Sequence, residues 1–286
     1  MAWVESIQKS INYIENHLLE DITIESIAQQ ANVSAFHFQR TFTILTDISV
    51  GAYVRRRRLT LAAQELSKND CKIIDLAHKY GYDTPEAFAK AFRRQHGVAP
   101  SEARKYVGKL KLYERLIIQV VLKGAEPMKY NVVERDSFQV VGMKREFSVA
   151  NGENYVGIPK FWDEVNADGT SERLAKLNNG TIKGLLGVCA PSSAKSKQAA
   201  DYWIAVDYDG KTPEGMESFH IPASKWVVFE VRGAMPDAMQ TAWKQIFSEW
   251  FPTSGYEHAG TPDLEVYSED DPFSPDCYSE IWIPVK

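Results

Sequence analysis

Residues 27–42 read IAQQANVSAFHFQRTF, and residues 76–92 read LAHKYGYDTPEAFAKAF. Both stretches contain an apolar pair, then a turn, then a segment with phenylalanines at matching places. The offset between them is 49 residues before the turn and 50 after it, so the second turn holds one extra residue. A short helix, a tight turn and a capped second helix are the outline of a helix-turn-helix. The repeat therefore predicts two such units in one chain, each able to place a helix in the major groove of DNA.

The charge of the chain is divided unevenly between its two halves. The whole chain carries a net charge of −5, which by itself argues against a nucleic-acid partner. Residues 1–126, however, hold 18 Lys and Arg against 14 Asp and Glu, whereas residues 127–286 hold 15 against 24. A basic half followed by an acidic half is typical of a DNA reader joined to a domain of another kind.

Cysteine usage and hydropathy indicate the cellular compartment. The cysteines are three in number and far apart, which favours a reducing compartment over a disulfide framework. They have no metal-ligand spacing, and we expect neither a metal nor another cofactor. The N-terminal stretch is amphipathic and contains Glu5, unlike a signal peptide. The longest apolar stretch, residues 116–122, is too short to span a bilayer. We therefore expect a cytoplasmic protein with no membrane partner.

The period of the apolar residues changes near residue 127. Before it, apolar residues recur at three- and four-residue steps, which predicts helices throughout. After it, runs rich in Val, Ile and aromatic residues predict strands at 138–147, 183–190, 202–208, 225–231 and 278–285, with helices at 155–166 and 236–251. The order strand–helix–strand–strand is expected twice. The predicted fold is multidomain: an all-α double helix-turn-helix domain over 1–107, a linker over 108–126, and an α+β domain with an antiparallel sheet over 127–286.

The exposed face of each second helix holds the candidate DNA-reading residues. In the first copy, Gln39 and Arg40 are side chains that pair with adenine and guanine edges, and Phe36 can contact a thymine methyl group. The second copy is poorer in base readers, and we expect it to position the protein on phosphates. Its candidates are Glu86, Lys90, Arg93 and Arg94. Helix-turn-helix shapes also occur in proteins that never touch DNA, but two copies in a basic half favour DNA binding.

The last predicted strand carries a candidate ligand site. Alternation places Tyr278, Glu280 and Trp282 on one face of that strand. A carboxylate between two large aromatic rings attracts a lipophilic cation through its charge and through cation–π contact. Other residues that can line this site are Phe161, Trp162, Tyr202, Trp203 and Tyr208. The alternative is that Glu280 is merely solvated on an exposed sheet face.

Residues 5–106 resemble the DNA-binding domain of AraC/XylS-family transcription regulators. Residues 34–42 are similar to the family's first recognition helix, and residues 81–92 followed by 97–100 resemble its second signature. The resemblance implies an activator of transcription that binds double-stranded DNA and works with RNA polymerase. It also implies contacts to bases or to the groove from Phe36, Gln39, Arg40, Glu86 and Lys90. Phe36 and the Pro85-Glu86 pair depart from the usual pattern and leave the target sequence undetermined.

Residues 127–286, which end in YSEIWIPV, look like the GyrI-like effector-binding domain of multidrug-responsive regulators. In that family a glutamate on the matching strand faces bound cationic aromatic molecules. The resemblance therefore implies that Glu280 contacts a lipophilic, cationic effector.

Two other functions remain open from the sequence. Some GyrI-like proteins are hydrolases, and here Glu280 would be the general base with Tyr155 or Tyr208 assisting. No Ser/His/Asp or Cys/His signature is visible, however. A protein that only sequesters small molecules is the third candidate, and the two DNA-reading units argue against it. The sequence favours a ligand-responsive transcription regulator, not an enzyme.

Overall fold

The computed structural model describes residues 2–105, 108–118, 128–148, 153–192 and 199–286. They divide into two units. The helical unit comprises residues 4–35 and 48–121, and the sheet unit comprises residues 1–3, 36–47 and 122–286. One helix of the repeated N-terminal region, residues 36–47, therefore groups with the C-terminal sheet.

The helices expected before residue 106 are confirmed. Their bounds are α1 Ala2–Asn16, α2 Ile24–Gln29, α3 Ala35–Thr46, α4 Val50–Lys68, α5 Ile73–Lys79, α6 Pro85–His96 and α7 Pro100–Ala103.

The second helix-turn-helix, α5 and α6, lies wholly within the helical unit. Gly81 takes a φ of +77° in the turn, a conformation that costs glycine little because it has no Cβ. The Thr84 hydroxyl accepts a hydrogen bond from the N–H of Ala87 at 3.1 Å and so caps the start of α6. Phe88 and Phe92 on α6 are completely buried in the core of the unit. With its apolar side packed inward, α6 keeps its charged side in solvent.

The sheet unit contains one sheet of eight strands in the described part of the chain. The strands are β1 Tyr130–Arg135, β2 Phe138–Ser148, β3 Leu185–Pro191, β4 Ala199–Asp207, β5 Glu217–Ile221, β6 Ser224–Arg232, β7 Asp263–Tyr267 and β8 Tyr278–Val285. Their order across the sheet is β1-β6-β8-β7-β3-β4-β2-β5, and each paired neighbour is antiparallel. The five expected strands are confirmed, whereas β1, β5 and β7 were not predicted.

The helices of the sheet unit produce a repeated plan. They are α8 Glu153–Ala167, α9 Thr170–Leu177, α10 Asp237–Gln245 and α11 Phe251–Ser254, with a π-helical turn over Ile246–Trp250 between the last two. The order β2–helices–β3–β4 recurs as β6–helices–β7–β8, which confirms the expected repeat. Because β3 pairs with β7, the two repeats meet at the centre of the sheet.

The two faces of the sheet bury different cores. On one face, α8 and α9 cover β4, and α10 with the π-helical turn covers β6 and β8. On the other face, Trp226 and Val228 of β6 share one cluster with Val140 of β2 and Ile221 of β5. Residues of β7, β3 and β4, which lie between these strands in the sheet, complete this cluster. We call the two sides the helix-covered face and the concave face.

Helix α3 packs on the helix-covered face. Ile44 and Leu45 of α3 pack against a buried cluster that includes the aromatic residues Phe247 and Trp250. The described helices include none that is both long and apolar enough to cross a membrane.

Candidate effector site and DNA-reading helices

Glu265 of β7 lies at the centre of a group of aromatic side chains. The hydroxyls of Tyr202 and Tyr267 donate hydrogen bonds to its Oε2 at 3.1 and 3.0 Å. The indole N–H of Trp243 donates to its Oε1 at 2.7 Å. These donors come from β4, β7 and α10, and the fold brings them together on the helix-covered face.

Trp162 of α8 completes this group. Its indole N–H donates to the Tyr202 hydroxyl at 3.0 Å, and its ring packs edge-on against Tyr267 with centroids 5.0 Å apart. Gly187 of β3 is directly opposite Glu265 in the sheet. A Cβ at Gly187 would overlap the Tyr202 hydroxyl and lie 3.0 Å from Glu265 Oε2, so the arrangement requires glycine. We call Glu265, Tyr202, Tyr267, Trp162 and Trp243 the Glu265 cluster.

The formal charge of the Glu265 cluster lies on its carboxylate. Burial raises the pKa of Tyr202 well above its ordinary value, and the nearby Glu265 raises it further. Burial and Glu265 act in the same way on the pKa of Tyr267. Both phenols therefore remain neutral donors at physiological pH, and the cluster presents one acid surrounded by aromatic rings.

Glu280 has a smaller set of aromatic partners. The Tyr278 hydroxyl donates to its Oε1 at 2.6 Å, and the Trp282 indole N–H donates to its Oε2 at 2.7 Å. Glu265 is directly opposite Ile281, so the adjacent Glu280 points to the other side, the concave face. Glu280 is therefore an acid between two aromatics, but it lies on the face away from Glu265.

The residues expected to line a single site are divided between the two faces. Trp162, Phe161 and Tyr208 belong to the helix-covered side. Trp203 belongs to the concave side, where it stacks on Phe219 with centroids 5.5 Å apart. Successive residues of a strand point to opposite faces, so Tyr202 and Trp203 cannot line the same site. The side chain of Tyr155, named for a hydrolytic site, lies outside the described residues.

The two candidate DNA-reading helices differ in exposure. On α6, the predicted residues Glu86, Lys90, Arg93 and Arg94 are all exposed. On α3, Gln39 is 4% exposed and the Arg40 side chain 13%, while Phe36 is half-buried. The amide nitrogen of Gln39 has no hydrogen-bond partner within the described part of the chain. In this arrangement only the second helix presents its predicted contacts to solvent.

Arg40 connects α3 to the edge of the Glu265 cluster. Its guanidinium forms an ion pair with the buried carboxylate of Asp263 on β7 and lies over the Trp243 ring, 4.1 Å from the centroid. His258 Nε2 lies 2.6 Å from the other oxygen of Asp263. His37 of α3 stacks on His258 with centroids 4.0 Å apart. We call Arg40, His37, Asp263, His258 and Trp243 the α3 contact.

The electrostatics of the α3 contact favour a neutral His37 beside a charged Asp263. Burial lowers the pKa of His37 well below its ordinary value, and the nearby His258 and Arg40 lower it further. Burial alone would raise the pKa of Asp263, but His258 and Arg40 bring it below its ordinary value. At the far end of α3, Lys244 Nζ pairs with Asp47 at 2.7 Å in solvent.

Sequence reasoning did not find Glu265, Tyr267, Asp263 or Trp243. The available signal was the alternation in Asp263-Leu264-Glu265-Val266-Tyr267, which places two acids and a tyrosine on one face of a short strand. Among the described residues, no group of three His, Cys, Asp or Glu side chains is arranged to hold a metal ion.

Two family models match the chain. Residues 27–106 match a helix-turn-helix domain, and residues 131–285 match the integron-associated effector binding protein family Cass2. AarP of Providencia stuartii, an HTH-type transcriptional activator, is 36% identical over 95 residues, which are 33% of this chain and 70% of AarP.

A longer relative and a solved structure extend the comparison. YbfP of Bacillus subtilis, an HTH-type transcriptional regulator, is 33% identical over 144 residues, 48% of this chain and 49% of YbfP. The chain therefore spans about half the length of that relative. The structure of SAV2435 bound to tetraphenylphosphonium superposes with a TM-score of 0.51 and 29% identity, covering 56% of this chain and 94% of SAV2435.

Proposed function

We propose that this chain, which belongs to the AraC-type helix-turn-helix regulators and carries a Cass2 effector-binding domain, is a transcription activator whose DNA binding responds to a lipophilic organic cation. The observation that carries the proposal is the Glu265 cluster, one carboxylate surrounded by four aromatic side chains. The DNA-reading residues in this proposal are those predicted on α3 and α6. RNA polymerase is the partner that an activator requires.

The chemistry of the Glu265 cluster suits a lipophilic aromatic cation. Aromatic faces attract cations through their quadrupoles, most strongly where water is excluded. A nearby carboxylate adds a full opposite charge in the same low-dielectric surroundings. Tetraphenylphosphonium, the molecule in the SAV2435 structure, has this combination of aromatic surface and positive charge. The same contacts argue for binding over hydrolysis, since phenol and indole donors already occupy both oxygens of Glu265.

Glu265 is a better candidate than Glu280 because of where its partners come from. The partners of Glu280 are its neighbours two residues away on β8, so these contacts lie within one strand. The partners of Glu265 come from three different elements, and Trp162 joins them from a fourth. A group assembled by tertiary structure on rigid elements is the kind of preorganised surface that ligand binding needs.

The test is calorimetry with tetraphenylphosphonium and with neutral triphenylphosphine oxide. Glu265→Gln keeps the shape of the side chain and removes its charge. It should weaken binding of the cation by about tenfold or more, because charge-assisted contacts are roughly twice as strong as neutral ones. The affinity for the neutral compound should change far less. Glu280→Gln, the same change on the concave face, is the matched control and should bind both compounds like the unchanged protein. Loss of cation affinity in Glu280→Gln alone would move the site to the concave face.

A further inference from the structure

The α3 contact places a positive charge of the chain itself at the edge of the proposed cation site. The Arg40 guanidinium lies over Trp243, the residue whose indole N–H donates to Glu265. It also pairs with Asp263, which precedes Glu265 by two residues on β7 and therefore shares its face. Carboxylates and an aromatic face around one flat cation are the features that the proposed effector would use.

We infer that Arg40 is an internal occupant of the cation site, and that a cationic effector displaces it and so releases α3 for DNA. This inference rests on the proposed function and adds the regulation of the same site. With α3 on the sheet, the Arg40 guanidinium is held by Asp263 and Trp243 and cannot reach a base edge. The effector and Arg40 compete for Trp243 and for the acids of β7. DNA and effector binding are therefore positively coupled, each raising the affinity for the other by the same factor.

The contacts around Arg40 support a competition of this kind. With α3 on the sheet, Asp263 is almost completely buried, so its charge needs a cationic partner there. Arg40 supplies that partner when α3 is on the sheet, and the effector supplies it when α3 has left. The remaining contacts of α3 include the stack of His37 on His258 and the solvent-exposed pair of Lys244 with Asp47. These contacts add to the stability of the docked helix without filling the cation site.

The experiment measures DNA affinity of the full chain by fluorescence anisotropy, with and without tetraphenylphosphonium. The DNA is a duplex selected from a random-sequence library with the same protein. Asp263→Asn removes the ion pair from the sheet side and leaves the predicted DNA contacts intact. Without the cation, it should bind the duplex about tenfold tighter than the unchanged chain, since more of the protein is competent to bind. Adding the cation should raise the DNA affinity of the unchanged chain about fivefold or more, and that of Asp263→Asn much less.

Two further variants separate docking from simple electrostatics and from misfolding. Glu164→Gln removes the same charge from an exposed pair with Arg145, and it should stay within about twofold of the unchanged chain. Lys244→Glu sets two acids against each other at the end of α3, where Lys244 and Asp47 are both exposed. This variant adds negative charge, which opposes DNA binding. It should nevertheless bind DNA about threefold tighter, because α3 is less firmly docked. If Asp263→Asn does not fold, Lys244→Glu decides the question.

The outcomes distinguish this inference from the proposed function. If Asp263→Asn and Lys244→Glu fold and bind DNA like the unchanged chain, α3 is not restrained by the sheet and the inference is wrong. Tetraphenylphosphonium could bind in calorimetry but leave DNA affinity and the hydrogen exchange of α3 unchanged. That result would support the cation site and contradict its occupation by Arg40. If the cation does not bind at all, the proposed effector class is wrong. The DNA measurements without cation then still decide whether α3 is restrained.

Discussion

At the scale of single residues, Gly187 provides a test of how tightly the Glu265 cluster is built. Gly187→Ala places a methyl group where the Tyr202 hydroxyl now lies, and 3.0 Å from Glu265 Oε2. We expect the hydroxyl to leave Glu265, with a loss of about 1–3 kcal/mol of stability from overpacking. Tetraphenylphosphonium affinity should fall in parallel. Thermal unfolding and calorimetry measure the two effects.

The matched control for Gly187→Ala is the same change in a Tyr202→Phe protein. Without the hydroxyl, the added methyl group contacts less of the side chain at position 202. Gly187→Ala should therefore reduce stability less in the Tyr202→Phe protein than in the unchanged chain. Residues in direct contact show such non-additivity. Equal costs in the two backgrounds would mean that the methyl group meets something other than Tyr202.

Glu265 and Glu280 also show what the sequence can reveal about single residues. Glu280 was found because Tyr278 and Trp282 are its neighbours at two-residue spacing, a purely local pattern. Glu265 has one aromatic at that spacing, Tyr267, and its other partners lie 22 and 63 residues away along the chain. No local pattern contains those partners. The chemistry of an acid among aromatics was predictable, and the acid with the fuller aromatic surroundings was not.

At the scale of elements, the docking of α3 predicts a dependence of stability on pH. The pKa of His37 is well below its ordinary value of 6.5 in the folded chain and returns toward that value on unfolding. The unfolded chain therefore binds this proton more readily, so the stabilisation is complete above pH 6.5 and is lost as pH falls. The carboxyl of Asp263 has a pKa below 3.8 and remains charged through this range.

Urea unfolding at pH 7.5 and pH 5.5 checks this dependence. The unfolding midpoint of the unchanged chain should fall more between the two pH values than that of His37→Gln. His258, Asp263 and Arg40, the charged and titratable groups beside His37, are kept in both proteins. His96, whose pKa burial also lowers, is likewise common to both. Equal falls in the two midpoints would contradict a neutral, buried His37.

Elements were predicted best where their pattern was apolar. The strands β2, β3, β4, β6 and β8 follow runs of Val, Ile and aromatic residues. Strand β7 carries Asp263 and Glu265 on one face. Because of these acids it does not form an apolar run, and so it was not predicted. The polar side chains that form the candidate site are thus the ones that obscured the strand. The contacts that group α3 with the sheet include an ion pair between residues 223 positions apart, which no periodicity contains.

At the scale of the whole molecule, two reading helices in one chain predict binding to DNA as a monomer. A symmetric dimer needs a palindromic site, whereas two unequal readers in one chain need an asymmetric one. The sequence predicts base contacts from Gln39 and Arg40 in the first copy, and mainly phosphate contacts from Lys90 and its neighbours in the second. Native mass spectrometry of the complex with a selected duplex should give one chain per site. Two chains per duplex at all ratios would argue that half-sites are read by separate molecules.

The unpartnered amide of Gln39 connects two proposed properties, the DNA sequence that is recognised and the effector concentration that is needed for activation. Burying an amide without a partner costs about 1–3 kcal/mol, so an apolar residue at position 39 should stabilise the observed arrangement of α3. In the proposed mechanism, a change at position 39 that selects a different base also alters how much effector is needed to reach half-maximal activation. In that mechanism, Gln39→Leu lowers expression without effector and raises the effector concentration needed for half-maximal activation. Divergence in the recognised promoter and divergence in the dose–response curve are therefore expected to arise together at this one position.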